Sequence, residues 1–141
     1  VKEMFISKFM KGLSTVQIEV LAQAYFNQNH EKLIYSKANT YIKEISNYHD
    51  KFIVSASIDF WLKPFADYYG MGLICTQSAF DEQGIFTGKF ASKNCNHEVK
   101  KIRIETEIDL TFYDEIIAFG DTKGDEAMFS ISTQTNFRYF N

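Results

Sequence analysis

Apolar and polar positions follow two different periods along this chain, and the change comes near residue 50. Before it, the pattern is helical and shows no strand alternation. Met4, Phe5, Phe9 and Met10 fall at i, i+1, i+5 and i+6, one face of a first helix that Lys11-Gly12 closes. Ser14 followed by Gln17 is a capping box, because each side chain can bond the other's backbone N–H. It predicts a second helix to about Gln28, with Val16, Val20, Leu21 and Tyr25 on its inner side. A third helix is expected from about Ser36 to Tyr48, carrying Tyr41, Ile42 and Ile45, before a turn at His49-Asp50.

From Lys51 short apolar runs alternate with helical segments. Phe52-Ile53-Val54 reads as a buried strand ending in Ser55-Ala56-Ser57. A helix is expected from about Asp59 to Tyr69, terminated by Gly70, with Pro64 near its first turn or kinking it. Leu73 to Thr76 is the next strand, and Ala79 to Phe90 alternates around Asp81-Glu82-Gln83-Gly84 as a β-hairpin. A helix from His97 to about Thr106, a strand from Ile116 to Phe119 and a short helix from Asp125 to Ser130 complete the pattern. Strands alternating with helices imply an α/β fold: a parallel sheet with right-handed crossovers. The natural boundary divides a helical unit, 1–49, from an α/β unit, 50–141.

Composition narrows the class. The 141 residues suit about one domain, and 45% hydrophobic with 23% charged residues suits a soluble globular chain. Phe and Tyr are abundant, so the core is expected to be aromatic-rich. The net charge is −3 and lysines are interleaved with acids, which argues against nucleic acid as a partner. No apolar run approaches the ~20 residues that span a bilayer. No signal peptide is visible, and Cys75 and Cys95 suit thiols in a reducing, cytoplasmic setting. Zinc on Cys75, Cys95 and His97 is poorly supported, because only Cys95 and His97 have the close spacing of a structural site. Val1 already lies inside a helical pattern with no cap before it, so a cut N-terminus is expected.

The chemistry concentrates at strand ends and helix starts. Ile116 to Phe119 empties into Gly120-Asp121-Thr122-Lys123-Gly124-Asp125, two carboxylates four residues apart where an α/β sheet places its ligands. Hard oxygen donors there suit Mg²⁺. Ser55 ends a buried strand, where its hydroxyl either caps the next helix or, with neighbouring N–H groups, grips an anion. Lys100, near a helix start, is either a solvated surface residue or a fixed positive charge aimed at phosphate. An EF-hand is excluded, since Lys123 and Glu126 occupy its acid and glycine positions. Gly-x-x-x-x-Gly-Lys-Ser/Thr is absent, and His30, His49 and His97 have no nucleophile partner in the sequence. In order, a hydroxyl, a lysine and a paired-acid loop supply what phosphoryl transfer needs, which is positioning and charge stabilisation.

These pieces resemble the haloacid dehalogenase (HAD) superfamily, in its phosphoserine-phosphatase-like branch. The matching segments are Ile53-Val54-Ser55-Ala56-Ser57 with Trp61-Leu62-Lys63-Pro64, then Phe86-Thr87-Gly88-Lys89-Phe90. Asn94-Cys95 through Lys100 and Phe119-Gly120-Asp121 through Met128 follow, in the family's order, within about residues 38 to 130. The resemblance implies a Rossmann-like core with a helical cap before residue 50. It implies that Ser55 and the N–H of Ala56 hold the transferring phosphoryl group and that Lys100 offsets its charge. It also implies that Asp121 coordinates Mg²⁺ and that Asp125 ligates the ion or holds its water shell. The activity implied is hydrolysis of a small phosphorylated metabolite through an aspartyl-phosphate.

Two departures qualify this. The family's nucleophile is the first Asp of an Asp-x-Asp on the first strand, and no Asp-x-Asp occurs in these residues. The sequence therefore reads as a fragment lacking its first strand and nucleophile, or as a non-catalytic phosphate- and metal-binding relative. Gly124 stands where phosphoserine phosphatases carry Asn, which argues against phosphoserine as substrate. A receiver domain also gathers acids, a hydroxyl and a lysine, but in a different chain order.

Overall fold

Ser14 starts the longest helix through the predicted capping box. In the computed structural model, which describes residues 2–45 and 48–140, its hydroxyl accepts from the Gln17 N–H at 3.3 Å. The Gln17 side chain accepts in return from the Ser14 N–H at 2.9 Å. Helix α1 spans Lys2–Met10, α2 Thr15–Leu33 and α3 Ser36–Glu44. Helix α2 thus runs past Gln28, because polar Asn27 to Asn29 lie on a solvated helix rather than end it. The expected end of α3 at Tyr48 is also corrected: Ile45 is its extended cap.

The inner face expected for α2 was misassigned. Val16, Val20, Leu21 and Tyr25 are exposed, and Ile18, Ala22 and Phe26 are buried instead. This helix carries apolar residues around most of its circumference, so periodicity alone does not choose the face. Contact does: Phe26 stands edge-on to Phe65, with ring centroids 4.8 Å apart.

Strand β1 (Phe52–Ile58) leads directly into α4 (Asp59–Tyr69), which Gly70 ends in the left-handed conformation at φ 62°. Pro64 lies at the sixth helical position, where its missing N–H leaves the Phe60 carbonyl without its usual partner. Strand β2 (Gly72–Thr76) follows, then the expected hairpin of β3 (Ser78–Phe80) and β4 (Phe86–Phe90). Helix α5 (Glu98–Glu107), β5 (Ile117–Gly120), the short α6 (Glu126–Phe129) and β6 (Gln134–Phe137) complete the order.

Two of the strand pairs are parallel, as the α/β reading requires. β1 pairs with β2 and β5 pairs with β6, and no ladder joins the two pairs among the described residues. The parallel sheet is therefore in two pieces, which share one core. Ile74, Cys95, Ile104, Ala118 and Met128 form it, with Val54 packed against them, so α5 and α6 support both halves. The regular β1 ladder ends at Ser55: Ser55 faces Cys75 and the next paired residue, Ile58, faces Thr76. Ala56 and Ser57 bulge out, a distortion common beside active sites.

A second, aromatic core ties the early helices to the rest. Ile6, Met10 and Ile18 pack with Ile58, Phe60 and Phe86. Backbone bonds from Gly12 N to Phe86 O and from Phe86 N to Leu13 O, both 2.9 Å, hook the α1–α2 turn onto the hairpin.

Candidate functional site

Lys100 is the third residue of α5, yet its side chain is only 9% exposed. Burying an ammonium is costly unless it is paired. Its Nζ lies 2.5 Å from Asp125 Oδ1 and donates to the Val54 carbonyl at 3.3 Å. One charge therefore bridges the end of the β5 unit and the strand that carries Ser55. Lys100 is therefore not the solvated surface residue that its place near a helix start also allowed.

Asp125 in turn organises the loop after β5. Its Oδ2 accepts from the Asp121 N–H (3.2 Å), the Thr122 N–H (3.1 Å) and the Thr122 hydroxyl (3.0 Å). Burial, the largest influence, raises its pKa, but the Lys100 ammonium and the Thr122 bonds together outweigh it and hold the carboxyl below its ordinary value. Gly120 makes the arrangement possible, since a Cβ there would lie 2.7 Å from the Asp125 Cβ. Asp121 differs from Asp125 in every respect: it is exposed, and its carboxylate has no hydrogen-bond or ion-pair partner among the described residues.

A polar strap holds the two halves of the site together. The buried Thr76 hydroxyl lies 2.9 Å from the Ala56 carbonyl and accepts from the Cys95 N–H at 3.0 Å. The His97 N–H donates to the Gly124 carbonyl at 3.1 Å. His97 reaches that position at φ 49°, a strained conformation for a residue with a side chain. Asn96 Oδ1 occupies the space where a Gly124 Cβ would stand. A side chain at 124 would therefore require the Asn96 side chain to move. Sequence reasoning missed Thr76, Asn96 and His97 as supports, because their roles come from contacts 18 or more residues away.

Lys100, Asp125 and the Ser55 strand are therefore brought together, with Asp121 at the open side. Ser55 Oγ accepts from the Ser57 N–H at 3.1 Å, which orients the hydroxyl within the bulge. Cys75 and Cys95 are both buried. Burial first, then the charges of Asp59 and Cys95, push the Cys75 thiol up to about 12. Among the described residues, no three His, Cys, Asp or Glu side chains converge on one point. One free carboxylate still fits Mg²⁺, which keeps several waters and needs only one or two protein carboxylates beside phosphate oxygens. Both Asp125 oxygens are already engaged, so Asp121 is the group open to such an ion.

The family model described as haloacid dehalogenase-like hydrolase matches residues 1–130. No curated protein matches. A solved structure, described as a protein with unknown function from Bordetella pertussis Tohama I, superposes with a TM-score of 0.81 at 17% identity. The match covers 94% of this chain and 62% of that one, and at this identity it speaks for the fold alone.

Proposed function

Because the chain belongs to the haloacid dehalogenase-like hydrolases, we propose that the complete protein is an Mg²⁺-dependent phosphomonoester hydrolase of the phosphoserine-phosphatase-like branch. The observation that carries this reading is the buried Lys100 ammonium, held between Asp125 and the strand of Ser55. A transferring phosphoryl group needs concentrated positive charge and fixed donors, and little else from the protein. Lys100 supplies the charge. The Ser55 hydroxyl and the N–H of Ala56 donate to phosphoryl oxygens, and Asp125 keeps Lys100 aimed and the acid loop closed. Asp121 would hold Mg²⁺, which when bound neutralises phosphoryl charge as it develops.

The nucleophilic aspartate that takes the phosphoryl group would come from a strand outside these 141 residues. Open edges support that: each of the four parallel strands pairs on one side only among the described residues, and Lys100, bonded to Val54 of β1 and to Asp125 after β5, points to the edges of β1 and β5. A parallel strand entering there would deliver its side chains beside Ser55, Lys100 and Asp121. The helices before residue 50 act as the cap, the substrate is a small phosphorylated metabolite, and the setting is cytoplasmic.

The test is phosphate release by the complete protein from a panel of phosphomonoesters, with Mg²⁺ and with EDTA. Mg²⁺-dependent release is expected. A Tm raised by Mg²⁺ with vanadate, but no turnover of any ester, would instead identify a non-catalytic binding protein, a reading favoured by the absence of Asp-x-Asp from these residues.

A further inference from the structure

A cleft of ≈ 610 Å³ lies between the helices before residue 50 and the β1–α4 unit. Its walls include Tyr25 from α2, Ile42 from α3, Ile53 and Ser57 from β1, and Trp61 and Leu62 from α4. Not one lining residue carries a charge. The volume is that of a cavity for a small organic ligand. The cleft adjoins the strand segment that carries Ser55, since Ile53 and Ser57, two residues before and after it, line the wall. Up to the bulge at Ala56 and Ser57, side chains alternate along β1, so Ile53 and Ser55 share a side of the strand. Ser57 is bonded to Ser55 directly, its N–H donating to the Ser55 hydroxyl.

We propose that the cleft takes the alcohol part of the substrate and that this part is apolar, aryl or alkyl, rather than an amino acid. The inference rests on the phosphatase reading above. A phosphate held at Ser55 and Lys100 would direct its ester substituent along this side of β1. A serine substituent would bring an ammonium and a carboxylate against Ile53, Trp61 and Leu62 with no countercharge, and unpaired charges resist such burial. A phenyl or alkyl group would meet Trp61 and Tyr25, whose rings are already 5.4 Å apart and tilted at 55°. A larger polar leaving group would meet few polar partners there, chiefly Ser57, the Tyr25 hydroxyl and the Trp61 N–H.

The discriminating experiment compares kcat/KM of the complete protein for phenyl phosphate, octyl phosphate and O-phosphoserine. Phenyl phosphate, octyl phosphate or both should exceed phosphoserine by at least about tenfold. In Tyr25→Ala, which alters a half-exposed residue, the ratio of phenyl phosphate to phosphoserine should fall. Turnover of phosphoserine at an equal or higher rate would overturn the apolar-substrate proposal and leave the phosphatase reading standing, as would an unchanged ratio in Tyr25→Ala. Turnover of none of the three by a protein that hydrolyses other esters of the panel would overturn the apolar-substrate proposal alone, and hydrolysis of no ester of the panel would overturn both.

Discussion

Lys100 and Asp125 show at the scale of single residues why this chain commits charge to its interior. Both side chains are nearly inaccessible, so removing one leaves the other buried without a partner. Lys100→Met should therefore lower stability to urea by about 3–5 kcal/mol. Lys100→Met combined with Asp125→Asn should lose less than the single change, because no unpaired ion remains. The same pair sets an acid dependence. The folded Asp125 carboxyl has a pKa held below its unfolded value, so its contribution is complete above about pH 4. It is then lost as pH falls through the folded value. A urea titration at pH 6 and at pH 3 should show a smaller pH-dependent loss in Asp125→Asn than in the natural sequence. Equal losses would contradict the assignment.

Among elements, what was legible in the sequence is what local chemistry determines. The Ser14–Gln17 box, the Gly70 stop and the Asp59–Tyr69 helix follow from residues close to one another in sequence, and the structure has them as expected. Strand β6 was not legible, since Gln134-Thr135-Asn136-Phe137 has no strand pattern and owes its form to pairing with β5. The face of α2 was misread for the related reason that α4 selects it. In the site, Ser55, Lys100, Asp121 and Asp125 stood out because residues of the right chemistry lay at strand ends and helix starts. The strap of Thr76, Asn96 and His97 gave no such signal; a glycine beside Asp125 was the only local sign of a close approach. That approach is testable. Gly124→Asn should cost about 1–3 kcal/mol by crowding Asn96, and Asn96→Gly in the same chain should restore most of it. No recovery in the double variant would mean that Asn96 is not what holds position 124 to glycine.

For the molecule as a whole, two parallel strand pairs stand on shared helices, and a buried lysine with a polar strap, rather than a ladder, joins the ends that carry the candidate site. The early helices hook onto the hairpin and leave the apolar cleft beside β1. Among the described residues, no helix is long and apolar enough to cross a membrane. On the proposed reading, phosphoryl-transfer chemistry is divided: charge and the metal carboxylate would lie on this chain, and the nucleophile on a strand entering beside β1 and β5. The most direct measurement of that division is phosphate release by the complete protein carrying Asp121→Asn. Since Asp121 is exposed and unpaired among the described residues, the variant should keep its Tm, while Mg²⁺-dependent release should fall at least about a hundredfold. Full Mg²⁺-dependent activity in Asp121→Asn would contradict the account.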